Sequence, residues 1–223
     1  MSTVTTESSH AEGVESAPVR QWPYRMSYEI YEQIAELRMI RPEEHVVLLD
    51  GILVQTMTEG PDHSFSMLSG QEIVRFACPQ GWHVRPEQPI AIRDGLGGAS
   101  APEPDLSVVA GSLSRYSNRH PEAFEVGLIV EIATTSAAFA DDRAGLRRYA
   151  HAGIPTVLIV ALHDRTVHVH TEPTGSTDEP MYARIEVKRS GDLLEVVLKS
   201  VQSNEPPAIL GPIAVASFFS TTL

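Results

Sequence analysis

A mixed β-sheet flanked by helices, in the α/β or α+β class, is the fold that the sequence predicts. Three observations predict it. Apolar runs of strand length alternate with segments of helical periodicity, so strands and helices interleave along the chain. Hairpin signals stand at both ends, Asp50-Gly51 early and His163-Asp164-Arg165 late. One helical segment lies between two apolar runs, residues 127–134 and 156–162, the order of a crossover between parallel strands.

The elements follow in chain order. The first 22 residues are rich in Ser, Thr and Glu without periodicity and read as a disordered tail, leaving 23–223 as a single domain. Ser27 can cap a helix whose apolar face is Ile30, Tyr31, Ile34 and Leu37. Two apolar runs then flank Asp50-Gly51 as a hairpin. Pro61 to Cys78 is a helix with Pro61 in its first turn, and Phe65, Leu68, Ile73 and Phe76 are its expected core face. Short strands are expected at Trp82–Arg85, Gln88–Ile92 and Leu106–Ala110, the last two separated by the glycine-rich RDGLGGAS. Gly127–Thr134 reads as a strand buried on both faces. Ala138–Ala152 is helical, with Gly153 as its C-terminal stop and Pro155 preventing continuation. Thr156–Leu162 and Thr166–Thr171 form the second hairpin. Strands at Tyr182–Lys188 and Leu194–Val201 close the chain.

Composition narrows the function. The 223 residues are 42% hydrophobic and 21% charged, the balance of a soluble globular protein. No apolar stretch approaches the roughly 18 residues of a membrane span. Cys78 is the only cysteine, and the N-terminus lacks a secretory pattern, so the expectation is a cytoplasmic protein with no membrane partner. Seventeen Lys+Arg against 29 Asp+Glu give a net charge of −12, which repels phosphate backbones. Any contact with DNA would therefore have to be local or metal-mediated. Fifteen of the cations are arginine, and Lys188 and Lys199 are the only lysines.

Two acidic residues stand out. Asp105 is at the entrance to one apolar strand and Glu131 in the middle of another, where an uncompensated carboxylate costs several kcal/mol. If the two converge, they and the carbonyl of Ile132 supply the hard oxygen ligands that Mg²⁺ or Mn²⁺ prefers. The other reading is an ion pair of Glu131 with Arg143, Arg147 or Arg148 and no metal.

PEPD followed by LSVVA, then GLIVEIATTS, then an Asp-led helix ending in Y-A-H-A-G-I-P, resembles the bacterial restriction endonuclease group of the Uma-two type, within the PD-(D/E)XK nuclease superfamily. The resemblance spans roughly residues 25–175 and takes in Asp50-Gly51 and His63. It implies a restriction-endonuclease-like core with added hairpins, metal-dependent hydrolysis of DNA phosphodiesters, and a homodimer. Asp105 matches the PD aspartate and Glu131 the (D/E) position. The superfamily's lysine, two residues after the Glu, is replaced by Ala133. The helix position that relatives use instead is Gly145. Val47 and Ile52 around the turn, and Leu158 and Ala161 in the following strand, also depart from the pattern. On helical geometry Asp141, Gly145, Arg148, Tyr149 and Ala152 share a face, so Arg148 is the arginine that can assist at the site; it cannot act as a base. The resemblance also brings His63 to the cleft. A catalytically silent DNA-binding or protein-interaction module is the alternative that the missing lysine leaves open.

Other residues have plainer readings. His168 and His170 share a strand face without further metal ligands and read as surface residues. Glu87 and Glu103 read as solvated. Tyr149 either contacts the cleft or packs in the core, and Cys78 reads as inert core. The G-L-G-G at 95–98 lacks the Lys-Ser/Thr of a phosphate loop.

Overall fold

A computed structural model describes residues 23–56, 60–199 and 207–220; the expected N-terminal tail lies outside the described residues. The first helix, α1 (Tyr28–Glu36), is capped by Ser27, whose Oγ accepts the Ile30 amide at 3.4 Å. Tyr28 and Tyr31 are its buried residues, while Leu37 lies past the helix end and is exposed. Strands β1 (Val46–Leu49) and β2 (Ile52–Gln55) form the first hairpin, with Leu49 opposite Ile52. Its turn residues Asp50 and Gly51 have φ of 52° and 77°, the left-handed pair that a two-residue type I′ turn requires.

Helix α2 (Pro61–Ala77) begins at Pro61 as expected but buries a different face. His63, Ser66, Gly70 and Val74 point inward and the expected Ile73 packs against the same core, whereas Phe65, Leu68 and Phe76 are exposed, Phe76 at 93%. Small side chains are what let the helix lie close to the core. A Cβ on Gly70 would stand 3.2 Å from the Phe218 ring and 3.4 Å from Leu106, so bulk on this stripe would push the helix off.

The main sheet has six strands in the order β3 (Trp82–Pro86), β4 (Leu106–Ala110), β5 (Val126–Ala133), β6 (Thr156–Ala161), β7 (Thr166–Pro173) and β8 (Tyr182–Arg189). Every neighbouring pair is antiparallel except β5 and β6, which α3 (Ser136–His151) joins by the expected crossover. The strand expected over Gln88–Ile92 is irregular chain instead, with single bridges at Ala91 and Ile92. Glu87 takes φ 44° and Pro89 has no amide to donate, which stops a ladder there. A separate hairpin of β9 (Leu193–Leu198) and β10 (Ala208–Ala214) lies over one face with α2. Residues 200 and 201, the end of the last expected strand, lie outside the described residues.

The sheet separates two cores. On one face Leu106, Leu128, Val130 and Leu158 pack with Val74 of α2, the β9–β10 hairpin and Phe218. On the other, Ile129, Ala133 and Ile159 pack with Leu146, Tyr149 and Ala150 of α3. A smaller cluster of Tyr28, Tyr31, Leu48, Ala91, Ala99 and Ala101 seats α1 and the first hairpin. Among the described residues no helix is long and apolar enough to cross a membrane.

Candidate active site

The strand register brings the two acidic residues together. Leu106 of β4 stands opposite Val130 of β5, so the position before β4 meets the next residue along β5: Asp105 beside Glu131. Two bonds tie them. The Asp105 amide donates to Glu131 Oε2 at 3.3 Å, and the Ile132 amide donates to Asp105 Oδ2 at 2.7 Å. Glu131 is on the sheet face that also carries Ile129 and Ala133, under α3.

Side chains from two helices reach the pair. His63, in the first turn of α2 and 5% exposed, places Nε2 3.0 Å from Asp105 Oδ1. The inward stripe of α2 is what turns it toward the sheet. Tyr149 of α3 is buried in the core and also donates its hydroxyl to Glu131 Oε1 at 2.6 Å, so core packing and site contact coexist in one residue. Each carboxylate oxygen of the pair thus has a polar partner within hydrogen-bond reach.

Arg148 goes elsewhere. Its Nη2 is 2.9 Å from Asp50 Oδ2 and its Nε 3.3 Å from Oδ1, a two-pronged pair that pins the first hairpin to α3. The turn is seated from the other side as well: Ser100 Oγ accepts the Asp50 amide at 2.8 Å and the Ala99 carbonyl accepts the Gly51 amide at 2.7 Å. The glycine-rich loop therefore has a packing function, since a Cβ at Gly97 would lie 2.8 Å from the Asp50 Cβ. Sequence reasoning found Asp50 only as a turn residue.

The two lysine positions differ in character. Ala133 is fully buried. At Gly145 a Cβ would meet nothing within 4 Å, so the helix face there is open. Arg147 is exposed; the side chains of Asp141 and Arg143 lie outside the described residues.

The remaining candidates are resolved by their surroundings. Glu87 and Glu103 are exposed, and Glu87 reaches the site through its backbone, its amide donating to the Asp105 carbonyl at 3.1 Å. The expectation that His168 and His170 are surface residues is corrected for His170, which is 3% exposed: β7 is an interior strand, and the His170 ring lies 6.0 Å from that of Tyr182. The His168 ring sits 4.7 Å from Phe139 of α3. Cys78 packs against the core, and burial pushes its thiol up to about 11.

The donor chemistry of the pair fits a hard divalent cation. Among the described residues no three His, Cys, Asp or Glu side chains are grouped to hold a metal ion. A metal here would rest on two carboxylates, a carbonyl and water, which is how Mg²⁺ is commonly held.

Comparisons with known proteins agree with this architecture. A family model described as "Putative restriction endonuclease" (Uma2) matches residues 28–204. One similar solved structure is described as that of "a putative nuclease belonging to DUF820 from Anabaena variabilis ATCC 29413". It is 16% identical, covers 82% of this chain and 94% of its own, and superposes with a TM-score of 0.54, a likeness of fold. No curated protein matches. The chain, whose mixed sheet sets Asp105 and Glu131 side by side, belongs to the Uma2 family of restriction endonuclease-like proteins.

Proposed function

We propose that the protein is a metal-dependent endonuclease that hydrolyses DNA phosphodiesters, with Asp105, Glu131 and the Ile132 carbonyl holding Mg²⁺ or Mn²⁺. The observation that carries this reading is the meeting of two carboxylates from adjacent strands, tied by the amides of Asp105 and Ile132. A metal bound there polarises a phosphate and makes a water more acidic. The chain's own groups set the geometry. His63 and the Ile132 amide hold the two oxygens of Asp105, and the Tyr149 hydroxyl and the Asp105 amide hold those of Glu131. His63 and Tyr149 are therefore positioning residues.

With Ala133 buried and Gly145 bare, no lysine reaches the pair, and the Arg148 fork is engaged by Asp50. Arg148 assists an anionic transition state only by leaving that partner. Cleavage is accordingly slow in this reading, and local charge, not the surface as a whole, brings in the DNA.

Calorimetric titration with Mn²⁺, coupled to plasmid nicking, tests the proposal. Wild type binds one ion and nicks slowly, and Asp105→Ala and Glu131→Ala lose both. Equal binding in all three proteins sinks the assignment. The absent lysine favours a second reading, a catalytically silent module of the same fold, which predicts metal binding without any nicking.

A further inference from the structure

On a chain of net charge −12, one cationic cluster is conspicuous. Arg85, Arg115 and Arg119 gather on the ring of Tyr116, their guanidinium carbons 5.7, 5.9 and 4.8 Å from its centroid. Glu125 answers two of them, at 2.7 Å from Arg115 and at 2.7 and 2.8 Å from Arg119. Arg85 is the third. It is 8% exposed, its Nε is buried without a partner, and among the described residues its guanidinium has no ion pair. Two imidazoles beside it share that condition. His83 is two residues away on the same face of β3; its Nδ1 lies 2.8 Å from the Gly111 carbonyl, and its Nε2 is buried with no partner. His120 has a buried, unpartnered Nδ1. Burial holds both imidazoles below their ordinary pKa with help from the charge of Arg85, against the opposing bond to the Gly111 carbonyl at His83.

Buried guanidinium groups are retained where an anion meets them. We propose that Arg85, flanked by His83 and His120, binds an oxyanion of the phosphate class. The planar fork of Arg85 suits two oxygens of one phosphate. A carbonyl can only accept, so the neutral His83 ring carries its proton on Nδ1 and presents Nε2 as an acceptor, matched to the acidic hydroxyl of a hydrogen phosphate. His83 and His120 are only half-buried, so part of each residue is exposed.

The phosphate has two possible sources, a free ion or a backbone phosphate of bound DNA. Arg85 faces Ser107 across β3 and β4, and Ser107 is two residues from Asp105, on the same sheet face. The backbone source rests on the nuclease reading; the free-ion source does not.

The test is a titration of the whole protein with inorganic phosphate in phosphate- and sulfate-free buffer, read by phosphorus NMR and by the melting temperature. Wild type is expected to bind and to melt higher as phosphate is added, with Asp105→Asn behaving alike. Arg85→Met should bind about tenfold more weakly or not at all, and Arg85→Lys, which keeps charge without the fork, should fall between. Without phosphate, Arg85→Met should melt no lower than wild type, because a buried charge has been removed while the stem volume is kept. A short DNA duplex added to Asp105→Asn assigns the source: displaced phosphate means backbone, retained phosphate means free ion. An absent phosphate effect in wild type, or an equal one in Arg85→Met, overturns the proposal whatever the fate of the metal site.

Discussion

Placing a lysine at Gly145 separates what the helix needs from what the chemistry needs. Gly145 lies inside α3, one turn before Tyr149, whose hydroxyl holds Glu131. Nothing lies within 4 Å of a Cβ built there, so no clash offsets the gain in helix propensity. That gain is about 0.5–1 kcal/mol for Gly→Lys or Gly→Ala in a helix interior. At about 2–4 °C per kcal/mol for a chain of this size, both Gly145→Lys and Gly145→Ala should raise the melting temperature by about 1–4 °C. Only the lysine brings a positive charge to the face of α3 that looks onto the carboxylates. A cation stabilising the developing phosphorane is worth about 1.4–4 kcal/mol, or about 10- to 10³-fold in rate. Nicking of supercoiled plasmid with Mn²⁺ should therefore rise by that factor in Gly145→Lys and stay at the wild-type level in Gly145→Ala. Equal nicking by the two variants, with both melting higher, would refute the electrostatic argument. A fall in melting temperature for both would refute the open helix face itself.

Three further outcomes are expected. Tyr149→Phe removes the 2.6 Å bond to Glu131 and should cost about 1.5–3 kcal/mol of stability while weakening Mn²⁺ binding; unchanged metal affinity in a calorimeter would remove Tyr149 from the site. Gly97→Ala drives a methyl to 2.8 Å from the Asp50 Cβ, so denaturant melts should show a loss of about 1–3 kcal/mol, and a neutral result would mean the loop yields freely. Glu125 is buried, which alone would raise its pKa, but the bonds from Arg119 and the Glu122 amide, with the charges of Arg119 and Arg115, hold it below the ordinary 4.5. A depressed folded-state pKa gives stability that is present above pH 4.5 and lost as pH falls through the folded value; Glu125→Gln should show a shallower acid loss, and parallel acid limbs would contradict the ion-pair assignment.

Each acid was legible in the sequence because its signal is local, a charge inside or at the entrance of an apolar strand; that the two meet was implied by the family resemblance, since the contact joins residues 26 positions apart. The crossover helix and the Asp50-Gly51 turn were legible for the same reason, being set by nearby residues. The face of α2 was not. Phe65, Leu68 and Phe76 point outward although Ile73 packs inward as periodicity expects, and the inward stripe of His63, Ser66, Gly70 and Val74 is chosen by how close the sheet must come, a tertiary demand that periodicity does not register. Strand β10 was missed because Gly211-Pro212 interrupts it, and its register to β9 shifts at that point. The Arg148–Asp50 pair joins residues 98 positions apart and leaves no trace in either segment.

The spacing of Asp105 and Glu131 is inherited from the ladder between two strands, which makes it discrete. Substitutions around the pair adjust it by degrees, but inserting a single residue between Asp105 and Val108 would send one acid through the sheet to the far side. Descendants of this chain can therefore drift in loops, helices and even the missing cation, while insertions and deletions within these two strands are barred to any lineage that keeps both acids in partnership.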